Sequence, residues 1–184
     1  MQHALQQELG IKANIYAFSL APWITEGSIW LEKLREYVRT KNQAIINELK
    51  AAGVLQDVKA KHNIIVTVGR SVIAQRLGGT TTYSGTINYG ALGTGGSPNP
   101  VNGSTQLQTE AYRKLQSSLS YDSNIAYADF FYAAGDCANT TYTEFGNFID
   151  GAAGANTGQL FSYIATGGWV KSGSMFVSCQ YTIN

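Results

Sequence analysis

Apolar positions change their period along the chain. Between residues 26 and 52, Leu31, Leu34, Val38, Ile45 and Leu49 recur at helical spacing, and Glu32, Lys33, Arg35, Glu36, Arg39 and Lys41 fill most of the intervening positions. Thr25 is placed to cap the first turn, Glu26 sits at the positive end of the dipole, and Gly53 supplies a stop. This spacing predicts one amphipathic helix. Leu31, Val38, Ile45 and Ala52 also lie seven apart, with Leu34 and Leu55 on a companion row that Lys41 and Glu48 interrupt. A short oligomeric coiled coil and a helix lying on its own domain both fit that pattern.

Ahead of the helix, residues 11–24 are apolar and aromatic without a clear period. Such a segment is costly to leave in water, so it packs on its own core or lies on a neighbour as a docking arm. Residues 63–77 fit a strand at their start (Ile64, Val66, Val68) and a helix over their length (Ile65, Val68, Val72, Ile73, Leu77). Fifteen residues favour the helix, ending at Gly78-Gly79.

Beyond this point the period becomes two. Thr86 to Leu92, Ile125 to Tyr132, Thr143 to Ile149 and Gln159 to Ala165 read as strands. From Met175 to Ile183, apolar Met175, Val177, Cys179, Tyr181 and Ile183 alternate with a mostly polar face. Leu107, Ala111 and Leu115 predict a short helix over 105–115. The expected fold is mainly β: an antiparallel β-sandwich-like C-terminal domain over 63–184, preceded by an apolar N-terminal arm (1–25) and an amphipathic α-helix with linker (26–62).

Composition reinforces that division. Residues 63–184 hold 17 of the 20 glycines but only 11 of the 25 charged side chains. The formal net charge is +1, made of +2 over residues 1–62 (8 basic, 6 acidic) and −1 over the remainder (5 basic, 6 acidic). Neither part has the basic excess of a general nucleic-acid binder. Residues 1–5 lack the basic-then-apolar order of a secretory leader. The stretch from Ile15 to Ile24, broken by Ser19 and Pro22, is too short to span a bilayer, so no membrane association is expected.

No catalytic chemistry announces itself. His3 and His62 lie far from Cys137 and Cys179, so no zinc set is visible, and the two thiols could pair or stand free. Asp122, Asp129, Asp136, Glu144 and Asp150 could supply the acid pair of a glycoside hydrolase, but nothing in their spacing selects two of them. The Gly90–Gly96 run has no Lys where a phosphate loop needs one, and Pro98 and Pro100 extend the chain beyond it. Gly93, Gly95 and Gly96 therefore read as a strand-to-loop turn. Tyr83, Tyr89, Tyr121, Tyr127, Tyr132, Tyr142, Tyr163 and Trp169 could stack on sugars or fill strand interfaces. The chain is expected to be non-enzymatic, with no catalytic residue, cofactor or metal.

Several short motifs occur in order: Lys61-x-Asn63-Ile-Ile-Val-x-x-Gly69-Arg70, Asn88-Tyr89-x-Ala91-Leu92-Gly93-Thr94-Gly95, Thr105-x-Leu107-x-x-Glu110-x-x-Arg113-Lys114 and Phe130-Phe131. Thr143-Glu144-Phe145-Gly146-x-Phe148, Gly158-x-Leu160-Phe161-Ser162, and Trp169 with Lys171 complete the series. It resembles a class of small virion proteins of tailed bacteriophages, described as tail-fibre-like or minor structural proteins, over about residues 61–184. The resemblance implies a β-sandwich-like domain that assembles with other virion proteins and copies of itself, located in the virion and, during assembly, in the host cytoplasm. A capsid decoration or head-fibre protein is an alternative, and a module binding host-surface glycans is one of another class.

Two expectations about residues accompany that reading. Ile15, Tyr16, Phe18, Leu20, Trp23, Ile24, Trp30, Leu34, Val38 and Ile45 form the expected assembly interface of arm and helix. Glu110 and Arg113, three apart on the expected 105–115 helix, would form with Glu144 a polar clamp tying helix to sheet.

Overall fold

The computed structural model describes residues 10–184. The chain folds in the order β1 (Ile11–Leu20), α1 (Ile29–Thr40), α2 (Gln43–Ala51), β2 (Leu55–Ile65), α3 (Thr67–Leu77), β3 (Ile87–Gly93), β4 (Glu110–Leu115), β5 (Ser118–Asp122), β6 (Ile125–Tyr132), β7 (Thr141–Ile149), β8 (Gln159–Val170) and β9 (Ser174–Ile183). All nine strands belong to one antiparallel sheet in the order β4-β3-β7-β8-β2-β1-β9-β6-β5. The sheet is curled. Its two outermost strands, β4 and β5, are consecutive in sequence and separated only by Gln116 and Ser117. Two residues reach about 10 Å, so the edges must meet there. The Gln116 amide donates to Asn88 O on β3 and the Ser117 amide donates to Asp129 O on β6, carrying the chain from one edge to the other.

The segment expected as an arm is the middle of this sheet, in the part that is described. β1 pairs with β9 from Ile11↔Ile183 to Leu20↔Ser174 and with β2 from Ala13↔Asn63 to Leu20↔Leu55. Ala13, Ile15 and Ala17 face the inner core with Val177 and Cys179, while Phe18 and Leu20 face outward under the helices. From Tyr16 to Phe18 large side chains fall on both faces of the strand, which blurs the alternation that Lys12 and Asn14 keep at its start. Residues 1–9 of the expected arm, with His3, lie outside the described residues.

The expected helix over 26–52 is two helices. Ser28, not Thr25, caps α1: its Oγ accepts from the Trp30 amide. Lys41 takes a left-handed conformation (φ 57°) that ends α1, and the Asn42 side chain accepts from the Ala44 amide to start α2. Leu31, Leu34, Val38, Ile45, Ile46 and Leu49 pack with Phe18, Leu20, Phe131 and Phe176 on the outer face of the sheet. The heptad residues Leu31, Val38 and Ile45 are consumed in this intramolecular core, so the coiled-coil alternative finds no free seam.

Four further expectations are corrected. The supposed linker before residue 62 contains β2, most of which is exposed; it pairs with β8 only at Ile64↔Tyr163 and Ile65↔Ser162. The stretch of β2 that does not pair with β8 carries Asp57, Lys59 and Lys61, and charge on a largely unpaired edge strand discourages pairing with another chain. The 63–77 segment is divided, ending β2 at Ile65 and beginning α3 at Thr67. The 105–115 segment is not a helix: Leu107 is buried in a loop, and residues 110–115 are β4. Because β1 and β2 lie between β9 and β8, the boundary expected at residue 62 does not separate two folded units.

Candidate functional site

Charged side chains buried by this fold act as anchors for loops and helices, and each anchor uses a different part of the sheet. Glu144, on β7, has no exposed surface. Its Oε1 accepts from the amides of Gly95 (2.8 Å) and Thr109 (3.0 Å), its Oε2 from the amide of Gln108 (2.7 Å), and the Tyr163 hydroxyl also donates to Oε2. One carboxylate thus holds both ends of the loop between β3 and β4. Burial and the neighbouring Glu144 carboxylate push the Tyr163 hydroxyl well above its ordinary pKa, so it stays a donor. A Cβ at Gly95 would stand 2.5 Å from Glu144 Oε1, and one at Gly93 2.7 Å from Thr109 O. These two glycines permit the close approach, whereas Gly96 meets nothing within 4 Å.

Glu110 and Arg113 form a separate anchor. In a regular strand, residues three apart face opposite sides. Here Tyr112 opposes Leu92 while Glu110 opposes Gly93, leaving Ala111 as an inserted residue. This bulge brings Glu110 and Arg113 onto one side. The guanidinium donates to both carboxylate oxygens (2.5 and 2.7 Å), and both side chains are almost wholly buried. Arg113 Nη1 also donates to Ala152 O, Thr157 O and Thr157 Oγ1, and its plane lies 4.5 Å from the Phe148 ring centre. The expected three-residue clamp is therefore two clamps: Glu110–Arg113 holds the 150–158 loop, and Glu144 holds the 94–109 loop. Arg113→Ala should lower stability by about 3–5 kcal/mol, because Glu110 would remain buried without its cation. Urea denaturation measures this, and a loss below about 0.5 kcal/mol would contradict the clamp.

Three other anchors complete the set. Asp129 accepts from Arg35 Nε (2.8 Å) and Ser178 Oγ (2.6 Å), tying α1 to β6 and β9. Burial outweighs those bonds and raises its carboxyl above the ordinary range. Lys171 is buried and donates to Ala134 O, Cys137 O and Asn139 Oδ1. Asp136 accepts from Lys114 and from the Ala133 amide. Burial opposes its ionisation, but those two bonds prevail and lower its pKa. The stability it contributes is present above the unfolded carboxyl value and is lost as pH falls through the folded one. Thermal melts of Lys114→Met and the unaltered chain should accordingly differ most near neutrality and converge below about pH 4; a constant gap would exclude this linkage.

The five candidate carboxylates are not brought together as a reacting pair. Asp129, Asp136 and Glu144 have the separate partners described, Asp150 accepts from the amide and hydroxyl of Ser84, and Asp122 is exposed. Among the described residues no group of three His, Cys, Asp or Glu side chains could hold a metal ion. Cys137 and Cys179 are free thiols, the latter pushed up to about 12 by burial.

The expected assembly residues turn inward. Ile15, Phe18, Leu20, Ile24, Leu34, Val38 and Ile45 are buried, Tyr16 and Trp30 are half-buried, and only Trp23 is mostly exposed, at 58%. Of the eight aromatics considered for sugar stacking, Tyr127, Tyr132, Tyr142, Tyr163 and Trp169 are buried, while Tyr121 is 82% exposed.

An interior polar cluster was not legible in advance. Asn147 Nδ2 donates to Tyr181 Oη and lies 3.3 Å from Ser162 Oγ and 3.2 Å from Cys179 Sγ; the Ser162 and Tyr181 hydroxyls are 2.8 Å apart. Its one sequence signal is an amide inside the apolar run Phe145-Gly-Asn-Phe-Ile. Two clefts open on the surface. One, of about 300 Å³, lies where β5 diverges from the start of β3, with Ile87, Leu119, Tyr121 and Tyr181 in its lining. The other, of about 520 Å³, lies between α3 and the start of β1.

Comparison with protein-family models finds no match, and neither the curated proteins nor the solved structures searched match this chain.

Proposed function

We propose that this protein is a non-enzymatic structural component of a tailed bacteriophage virion, at the tail or collar or fibre-like, assembling with other virion proteins and copies of itself. The observation that carries the reading is the coincidence between the resembling motifs and the residues that lock the fold. Asn88 exchanges two hydrogen bonds with the backbone of Gly151. Gly69 abuts the Phe161 backbone so closely that a Cβ would stand 2.5 Å from Phe161 O. Gly95, Glu110, Arg113, Glu144 and Lys171 are the loop anchors described above. Motifs that specify a rigid scaffold suit a protein whose work is to be assembled. The sandwich-like form implied by the resemblance is supported by the single inner core that the opposing strands of the curled sheet share, with Ile15 and Val177 from one side and Phe145 and Ile164 from the other.

Assembly through the N-terminal arm and helix is not retained, since those residues are used internally; contacts with neighbours fall to exposed positions such as Trp23, Ile29, Leu119 and Tyr121. Mass spectrometry of density-banded particles tests the reading: the chain's peptides should co-band with the particles at stoichiometric abundance. Peptides confined to the soluble lysate would overturn it.

A further inference from the structure

β5 ends the sheet and pairs only with β6. Its hairpin fixes which backbone groups that pairing uses. The turn is Ser123-Asn124; Ser123 has a positive φ (53°) and Asn124 does not, the signature of a type II′ turn. Such a turn closes on a hydrogen-bonded pair, here Asp122↔Ile125, and alternation makes Ser120↔Tyr127 the next. The N–H and C=O groups of Leu119 and Tyr121 therefore point away from β6. On that side they have no hydrogen-bond partner among the described residues.

This free edge borders the cleft of about 300 Å³, with Leu119 and Tyr121 on one wall and Gly85, Thr86 and Ile87 on the other. The cross-strand neighbours of Leu119 and Tyr121 are alanines, Ala128 and Ala126, which line the cleft and leave the space open. Folded proteins shield bare edges with charge, proline or a bulge. The unpaired stretch of β2 carries such charges. From Ser118 to Tyr121, β5 has no charge and no proline, and its register with β6 is unbroken.

We propose that the cleft takes one extended segment of another polypeptide, which adds to β5 as a further antiparallel strand. Unpaired N–H and C=O groups at alternate residues select a peptide backbone over any other apolar ligand. Side chains at every second position of the segment turn into the cleft beside Leu119 and Tyr121 and are apolar; those between face outward. The wall at Gly85 to Ile87 admits a single strand, whereas the β5 edge of a second copy would bring its β6 with it. All nine described strands are already committed to the sheet, so the donor is a different chain. That this donor is a virion protein rests on the reading above; the strand pairing does not.

The peptide Ac-Lys-Thr-Val-Thr-Val-Thr-Lys-NH2, titrated into the full chain and followed by amide NMR, tests the pairing. Saturable shifts are expected at the Leu119 and Tyr121 amides, with a millimolar dissociation constant. The same peptide N-methylated at both valines keeps its side chains but loses the amides that face β5, and should bind at least tenfold more weakly. Leu119→Pro removes one edge donor without touching the pairing to β6. It should keep a dispersed spectrum and weaken binding at least tenfold. No saturable shift at about 20 mM peptide, well above a millimolar constant, would overturn the proposal. So would undiminished binding of the methylated peptide, which would mean apolar contact alone. Collapse of the Leu119→Pro spectrum would overturn it too, by showing that the Leu119 amide pairs with β6. A dimer of the chain alone with its Leu119 and Tyr121 amides protected from exchange would give the edge to a second copy instead. Absence of the chain from banded particles would remove the virion reading and leave the peptide result standing.

Discussion

Deleting residues 1–25 is expected to abolish folding rather than to leave an intact domain lacking an attachment arm. The deletion removes β1, and with it the pairing partner of both β2 and β9. It also removes Ile15, Phe18 and Leu20, none of which has any exposed surface. Loss of one buried Phe or Leu side chain typically costs about 2–5 kcal/mol, and a whole domain is stable by only about 5–15 kcal/mol. Losing three such side chains and the ladder on both sides of a central strand exceeds that margin. The truncated chain should be insoluble, or soluble with collapsed amide dispersion and no cooperative melt. A dispersed spectrum and a cooperative transition from it would mean that β1 is dispensable, contrary to its place in the sheet.

Glu144→Ala is expected to cost as much stability as Arg113→Ala and to release a different loop. It leaves three backbone amides and the Tyr163 hydroxyl without their acceptor, at about 1–3 kcal/mol for each donor that water cannot reach. Relaxation of the loop ends will recover part of this, so a net loss of about 3–5 kcal/mol is expected. For a chain of this length that is a fall of about 10 °C in melting temperature. Hydrogen exchange should accelerate first at Gly95, Gln108 and Thr109, well before the amides of β7 and β8. Glu144→Gln keeps one oxygen but turns an amino group toward backbone donors, so it should fall between the two. A melting temperature within about 2 °C of the unaltered chain for Glu144→Ala would show that the loop is held by other contacts.

The strands most legible in the sequence are those with one apolar and one polar face. β9 alternates because its inner face meets the core while Ser178 and Gln180 lie on the other. β6, β7 and the first half of β8 were likewise legible from aromatic and β-branched runs. β1 and β2 were hidden for opposite reasons. β1 carries large side chains on both faces from Tyr16 to Phe18 and so loses its alternation there, whereas β2 is mostly exposed and carries the charges of a linker. The 105–115 segment misled because Leu107, Ala111 and Leu115 share a helical spacing by accident: the first fills a cavity under β7 and β8, and the other two are exposed.

The loop anchors were half legible. Glu110 and Arg113 were singled out by a three-residue spacing on an expected helix, with Glu144 as their partner on a later strand, but their division into two clamps depends on a one-residue bulge in β4. No local pattern encodes a bulge that exists only against its partner strand. The cleft beside β5 depends in the same way on where the start of β3 comes to lie, a segment distant from β5 in sequence.

By itself the sequence determined a mainly β chain, an amphipathic helical stretch after residue 26, glycine-punctuated turns and the absence of a charge excess. Each of these follows from interactions between near neighbours in the chain. Tertiary structure decided that the apolar N-terminal segment is a central strand rather than an arm, which side chains remain on the surface, and which carboxylate holds which loop. Those outcomes depend on strand order and register. A one-residue shift exchanges the faces of a strand, and only packing across the curled sheet selects among the alternatives.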